Sequence, residues 1–549
     1  MLALLPFLPL VVAICFAVPS WRKAMTALAP WTALPSLLVA ASGWGEEIDI
    51  PWMLLDTKMG LDLTGRVFLG FTSLIWLLSG LYARSYLQRD KNLFFSFFLL
   101  ALAGNLGLIL SFDVVSFYFF FALMSFSSYV LVVLTKTEAA YFAGRVYIAL
   151  VILGEILVFT ALALAVYISG SLHFSDFAAA VASSPYLPYL MGFTLFGFGI
   201  KAGLLPLHVW LPLAHPVAPT PASAVLSACM IKAGILGWLR LFPLGDISQP
   251  VWGGAVISLG IIGAFYAALV GIAQKEEKTV LAYSSISQVG IMTFLVGLGL
   301  LHPTLWPEIQ AVLLIYITAH ALMKGALFLT VGVDVQSSTF CRIAACLPAL
   351  AMAGAPFMAG GAAKSLIKGQ VLSMIDSSYL AYLLEGTSYM TAFLMFRYLF
   401  LLFQNDRKGR QYGSWWVLLG ILLLSPFFLL VHYSVGTLFS LKQLIPLIAA
   451  AIAGLIFVKF PIRFSIPSGD LLIVYEWGIT RCGRFLRRLG EGILFLKNTA
   501  VRIFASICWP KGSALARLEE TLTTFPVFGA LLIGLTLVFF LFQIIPGQG

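Results

Sequence analysis

The stretch Gly192-Phe-Thr-Leu-Phe-Gly-Phe-Gly-Ile-Lys201-Ala-Gly-Leu-Leu-Pro206-Leu-His-Val-Trp-Leu-Pro212 decides the fold. It closes an apolar run that begins near residue 186, carries one lysine, and then meets two prolines. About 20 apolar residues are what an α-helix needs to cross a hydrocarbon core about 30 Å thick. Backbone in lipid must satisfy its own hydrogen bonds, so such a run is helical. Prolines at its end break the helix, and a lysine inside it has to face something other than lipid. The stretch therefore predicts a broken membrane helix with a functional charge.

The rest of the chain has the same character. Of 549 residues, 61% are hydrophobic and only 10% are Asp, Glu, Lys or Arg, against roughly 25% charged residues in soluble domains. That supply cannot cover the surface of a soluble protein of this length, which excludes a cytosolic enzyme, a disordered chain and a nucleic-acid binder. Apolar runs fall near 3–19, 24–44, 66–83, 93–111, 113–134, 146–169, 186–206, 219–243, 251–273, 279–300, 308–332, 346–371, 378–403, 413–433, 441–459 and 524–545. The prediction is an all-α polytopic membrane protein with about 16 transmembrane helices. The first run resembles a signal peptide but lacks a basic leader, and a second run follows at once, so it is read as a helix.

Charge supports this count. With the N-terminus outward and every span crossing, the odd-numbered connections are cytoplasmic. They hold Arg22 and Lys23, Arg84, Arg89 and Lys91, and a run of basic residues from Lys459 to Arg517, whereas the outward ones hold only Lys58 and Arg66. This is the positive-inside asymmetry, so the net charge of +10 reads as topology rather than as an anionic ligand site. The six cysteines show no metal-ligand spacing, and no nucleotide loop or haem motif is present. Redox centres, if any, are expected on other chains.

The remaining charges sit inside spans: Lys201, Lys232, Arg240, Lys324, Lys364, Lys368, Arg397, Lys442, Glu155 and Glu385. Each central charge costs a few kcal/mol to insert and so marks a polar path. Arg240 and Arg397 lie toward span ends and are read as snorkelling, with Lys442 between the two readings. Lys201, Lys232 and Lys324 lie deep in apolar runs. Lysine suits proton transfer because desolvation can neutralise it, whereas arginine stays charged. His320 and Lys324 share one helix face with Tyr316 one turn earlier, and Lys364 and Lys368 share another. The Lys201 helix runs into Pro206 and Pro212; the Lys364 helix contains Pro356, Gly360 and Gly361. Interrupted helices in corresponding positions point to two inverted five-helix repeats. The organisation expected is N-terminal helices at 1–92, a first repeat at 93–243, a second at 251–403, C-terminal helices at 413–459, a lateral amphipathic segment at 460–523 and a final anchoring helix at 524–549.

Gly199-Ile-Lys-Ala-Gly-Leu-Leu-Pro-Leu-His-Val-Trp-Leu-Pro-Leu-Ala-His-Pro-Val-Ala-Pro-Thr-Pro-Ala-Ser-Ala224 resembles the signature of the antiporter-like, proton-translocating subunits of respiratory complex I. Mrp-type antiporters and the membrane arms of energy-converting (group 4) hydrogenases and formate hydrogenlyase share it. Met230-Ile-Lys232-Ala-Gly, Gln274-Lys-Glu-Glu-Lys278 and Ala319-His320-Ala-Leu-Met-Lys324-Gly extend the likeness over roughly residues 60 to 370. Leu123-Met-Ser-Phe-Ser-Ser-Tyr-Val-Leu is most similar to the hydrogenase branch. The resemblance implies that Lys201 is the switching lysine of the broken seventh helix and Lys232 the connecting lysine of the eighth. It implies that His320 and Lys324 are the central relay and that Lys364 lies near the outward exit. Glu385 is a further relay candidate.

One position departs from the family. A glutamate expected on the fifth helix, as the partner of the seventh-helix lysine, is replaced by Ala122. Glu155, in the sixth span, is the substitute proposed from sequence; the competing reading is a silent half-channel. Tyr316 stands where some members have a second histidine. The basic segment after residue 460, with Arg481, Arg484, Arg487 and Arg488 among apolar residues, reads as lying along the membrane surface. In relatives this segment runs along neighbouring subunits.

The expected function is ion translocation, most simply of protons, in a multisubunit, redox-driven complex of a prokaryotic cytoplasmic (inner) membrane. Partners would be other membrane subunits and a cytoplasmic peripheral arm. No cofactor is expected on this chain, with iron–sulfur or nickel–iron centres on partner subunits. The alternatives are a subunit of a sodium/proton antiporter, an inorganic-carbon uptake pair with a soluble partner, and a non-conducting scaffold.

Overall fold

The computed structural model describes residues 2–43, 45, 47–50, 57–182, 184–375, 377–404, 412–431, 433–459 and 466–472, with positions 474, 477 and 481. Two compact units divide at Leu471. The second is almost entirely outside the described residues, as are the predicted lateral segment from 482 onward and the span at 524–545.

The described residues contain 11 helices long and apolar enough to cross a membrane, plus four shorter apolar helices. Each coincides with one of the first 15 predicted spans. Their order carries the repeat. Helices Lys91–Leu110, Val114–Val133 and Glu138–Ser169 are followed by a broken pair, Leu187–Ala202 and Trp210–Val217, and then by Thr220–Leu241. The pattern recurs as Pro250–Ile272, Glu277–Leu301 and Trp306–Thr330, a broken pair beginning with Thr339–Ala353 and Ala359–Leu366, and Ser378–Gln404.

Local chemistry sets the boundaries. Asp62 starts helix Leu63–Tyr86 by accepting from the Gly65 amide at 2.7 Å. Asp113 caps its helix through Ser116 at 2.8 Å and also accepts from the Lys58 amide at 3.0 Å, tying the hairpin Ile48–Ile50/Thr57–Met59 to the helix start. Both carboxylates satisfy amides that the first turn leaves unpaired. Helices Pro250–Ile272 and Glu277–Leu301 pack along each other at Gly260 and Gly290. A Cβ on Gly260 would stand 2.6 Å from the Gly290 carbonyl, so neither position accepts a larger residue.

The two breaks share one device and differ from the sequence expectation. Gly203 (φ +77°) ends the first half-helix in the left-handed conformation, and Gly354 (φ +92°) ends the corresponding one. Glycine alone takes that conformation without steric cost. Of the expected breakers, Pro206 lies in the first interruption, but Pro212 sits in the first turn of the next helix, where proline is tolerated. Pro356 lies in the second interruption, while Gly360 and Gly361 open the following helix. Their role there is close packing. A Cβ on Gly361 would stand 2.9 Å from the Gly354 carbonyl. The span expected at 346–371 is correspondingly two helices, the first beginning at Thr339.

The candidate ion-translocation axis

Helices Glu277–Leu301 and Trp306–Thr330 are largely enclosed and bring many polar side chains into the interior: Ser284, Ser285, Ser287, Gln288, Thr293, His320 and Lys324 are all buried. A buried polar group is costly unless paired, and each half of the fold supplies partners around its lysines.

Lys201 occupies the last turn before the first break and is 4% exposed. Its ammonium donates to the Ser125 hydroxyl at 3.2 Å and lies 6.0 Å from the Phe121 ring centroid. Ser125 is one turn beyond Ala122 on the same helix, so a hydroxyl, not a carboxylate, meets the lysine from that element. Glu155, 5% exposed, comes in from helix Glu138–Ser169. Lys201, Glu155, Ser125 and Tyr147 line one cavity of about 10 Å³, the scale of a single water position. Neither Glu155 carboxylate oxygen has a hydrogen-bond partner among the described residues. Tyr147 continues the polar chain, donating to the Ser125 carbonyl at 3.0 Å and sharing a 2.5 Å hydrogen bond with the Ser128 hydroxyl. Trp210, across the break, donates its indole N–H to the Ile200 carbonyl at 2.8 Å, joining the two sides of the interruption.

Lys232 is fully buried and donates to the Ser227 carbonyl at 2.6 Å. That carbonyl belongs to a π-helical turn, Leu226–Met230, whose wider winding reshapes the usual backbone ladder beside the lysine. The Ser227 hydroxyl in turn bonds Ser285 at 2.8 Å, on the central helix. One residue away, Ser284 accepts from Lys324, which also donates to the Leu281 carbonyl at 2.7 Å. His320 lies one turn before Lys324 with both ring nitrogens lacking partners among the described residues. Tyr316 donates to Gln288 at 2.6 Å, and Gln288 donates to Thr391 at 3.2 Å, reaching helix Ser378–Gln404.

Lys364, 5% exposed, faces a cavity of about 200 Å³, and its ammonium has no partner among the described residues. Lys368, Glu385 and Lys442 line the same cavity, with Lys368 and Glu385 paired. A second π-helical turn, Ile367–Leu372, follows Lys364. The cavity is large enough for several waters.

The two arginines read as snorkelling have specific partners instead. Arg240 makes a two-pronged pair with Asp62 at 2.7 and 3.1 Å, binding the end of one helix to the cap of another. Arg397 donates twice, at 3.0 and 2.9 Å, to the Gln274 carbonyl. Interhelical groups nearer than the interface outcompete solvation, and the fork of guanidinium suits both contacts. Lys442 is exposed at the cavity rim.

Several polar residues of the axis were not singled out in the sequence: Ser125, Ser227, Ser285, Gln288 and His215. His215, fully buried and stacked on Phe328 at 4.6 Å, lies within electrostatic range of Lys324, Lys278 and Lys232. Both its ring nitrogens lack partners among the described residues. Its place in an apolar run next to Pro216 was the available signal. The serines give none singly, since serine is common in membrane helices.

Residues 111–374 match the model of a transmembrane family described as NADH:quinone oxidoreductase/Mrp antiporter. Hydrogenase-4 component B of Escherichia coli K12 is 32% identical over 294 residues, covering 51% of this chain and 44% of its own. A putative antiporter subunit, mnhA2, of Staphylococcus saprophyticus is 30% identical over 380 residues, 62% of this chain and 47% of its own. The chain thus spans under half the length of these curated relatives. Among solved structures, the Mrp complex from Dietzia sp. DQ12-45-1b shares the fold with a TM-score of 0.70 at 22% identity, covering 93% of this chain and 64% of that one. The membrane-bound sulfane sulfur reductase, an archaeal respiratory membrane complex, gives a TM-score of 0.67 at 20% identity, covering 83% of this chain and 99% of that one. The likeness to these structures shows the fold: an all-α chain with 11 helices long and apolar enough to cross a membrane among the described residues.

Proposed function

We propose that this chain is an ion-translocating subunit of a multisubunit complex in a prokaryotic cytoplasmic membrane, and that the ion is the proton. The observation that carries the reading is the set of lysines, Lys201, Lys232, Lys324 and Lys364, each at most 5% exposed in the apolar interior. No carboxylate lies within ion-pair distance of any of the four among the described residues. A lysine held this way has no counter-charge at contact distance, so a change of charge nearby acts on it strongly. Serine hydroxyls, His320 and the Tyr316–Gln288–Thr391 chain lie between these sites and can pass protons. Glu155 acts on Lys201 from across their shared cavity, where one water is sufficient to bridge them, in place of the glutamate absent at position 122. Glu385 and Lys368 stand at the Lys364 cavity as the outlet.

The driving reaction resides on partner subunits, other membrane subunits and a cytoplasmic arm, whose iron–sulfur or nickel–iron centres supply the redox step. The relatives also include sodium/proton antiporters, so the second reading is secondary transport without redox chemistry. Copurification separates them: an iron–sulfur partner with its visible absorbance supports the first, and an assembly of small membrane subunits alone supports the second. For translocation itself, proton flux is compared in vesicles carrying the assembled complex with parent, Lys201→Ala or Lys324→Ala chain. A fall of about a hundredfold or more is expected, the scale of losing a positioned proton carrier; parental flux in both variants refutes the reading.

A further inference from the structure

A second buried ionisable cluster lies apart from the lysine axis and involves residues 466–470. Asp470, its side chain 4% exposed, reaches into the interruption of the Lys201 helix and places Oδ1 3.2 Å from Nε2 of the fully buried His208. Its other oxygen accepts from the Tyr266 hydroxyl. The Tyr266 and Tyr283 rings flank the imidazole, with centroids 5.9 and 6.2 Å away. The surrounding backbone is fastened as well: Gln274 donates to the Ile466 carbonyl at 3.2 Å, and Gly469, at φ +77°, rests against the Leu213 side chain.

We propose that His208 and Asp470 form a proton-loading site at the mouth of the Lys201 half, walled by the first residues of the C-terminal extension. This rests on the proton-translocation reading above. The chemistry follows from the ring. One nitrogen faces a carboxylate, and the other, Nδ1, has no partner among the described residues. Such an imidazole can gain a proton at one nitrogen, hold the resulting cation beside the Asp470 carboxylate, and release a proton from the other nitrogen. One proton enters and one leaves, and no electrons move. His208 is seven residues from Lys201, across the only interruption in that helix. The sequence places this end of the helices on the cytoplasmic side, where Lys275 and Lys278 also lie.

The test uses the assembled complex in proteoliposomes with an internal pH dye, carrying parent, His208→Gln, Asp470→Asn or Lys201→Ala chain. Glutamine can still donate to Asp470 but cannot carry a proton. His208→Gln is therefore expected to lower initial flux about tenfold or more and to flatten its pH profile near neutrality, while hydrogen exchange at 466–471 stays protected. Asp470→Asn is expected to lower flux and release that protection. Parental flux and pH profile in His208→Gln, alongside abolished flux in Lys201→Ala, overturn the loading site and leave the wider reading standing. Lost protection at 466–471 in His208→Gln shows a structural clasp and also overturns it. Parental flux in Lys201→Ala takes Lys201 out of the path and overturns the loading site with it.

Discussion

Replacing Lys324 by methionine separates the functional from the structural account of the axis. Lys324 is fully buried, donates to the Leu281 carbonyl at 2.7 Å and to Ser284, and has no carboxylate partner among the described residues. Methionine fills a similar volume without the charge. Removing a charge from the centre of a membrane helix returns about 2.5–3.5 kcal/mol of insertion cost. The lost hydrogen bonds to a charged donor remove about 1.5–3 kcal/mol. The Leu281 carbonyl stays satisfied because Ser284 donates to it at 3.0 Å and Ser285 at 3.0 Å. With the Leu281 carbonyl still satisfied, one such bond is lost without replacement, so Lys324→Met is expected to change stability by no more than about 2 kcal/mol. Proton flux, by contrast, is expected to vanish, since Lys324 is the amine that His320 and Tyr316, on the same face, would pass protons to or from. The assay pairs thermal unfolding of the purified complex in nanodiscs with flux in vesicles. A stability loss above about 3 kcal/mol would show that the lysine holds the helices together, since removing one partner of a needed buried pair costs that much. Retained flux at parental stability would remove Lys324 from the path.

Three further outcomes follow from the same geometry. Glu155→Gln is expected to reduce flux, and adding Ala122→Glu in that background to restore part of it, because an opposite charge within about 4–6 Å of Lys201 is what the site needs; flux in the double variant no better than in Glu155→Gln alone would sink the replacement of one carboxylate by the other. Gly203→Ala places a methyl where φ is +77° and Leu211 Cδ1 stands 2.6 Å away, and should lower stability by about 1–2 kcal/mol from the left-handed backbone alone, read as a fall in Tm. Burial opposes ionisation of Asp470, but hydrogen bonds from His208 and Tyr266 outweigh it and hold its carboxyl below the ordinary value of 3.8, with Tyr283 also facing it. A depressed carboxyl stabilises the folded state above its unfolded value and loses that contribution as pH falls through the folded one. Protection of residues 466–471 from hydrogen exchange should therefore persist at pH 5 and fall only below about pH 4; release already at pH 6 would contradict it.

Much of the architecture was legible in the chain itself. Apolar run length fixes where helices form, because the bilayer permits no other backbone solution. The cost of inserting charge singles out Lys201, Lys232, Lys324 and Lys364 before any contact is known. Gly203 and Gly354 were less legible than the prolines near them, since a left-handed stop is a property of backbone angle and glycine is abundant in membrane helices for other reasons.

Sequence alone determined which residues cannot face lipid. Tertiary structure decided what they face. That Ser125 rather than position 122 meets Lys201, that Ser227 and Ser285 join two halves of the fold, and that Arg240 pairs with Asp62, 178 residues away, depend on how helices distant in the chain are juxtaposed. The same is true of Asp470, whose partner His208 lies 262 residues earlier. A charge has the same insertion cost wherever it sits in an apolar run, which makes it visible in one dimension. A hydrogen bond depends on a few ångströms of geometry between elements, and only the packed molecule sets that distance.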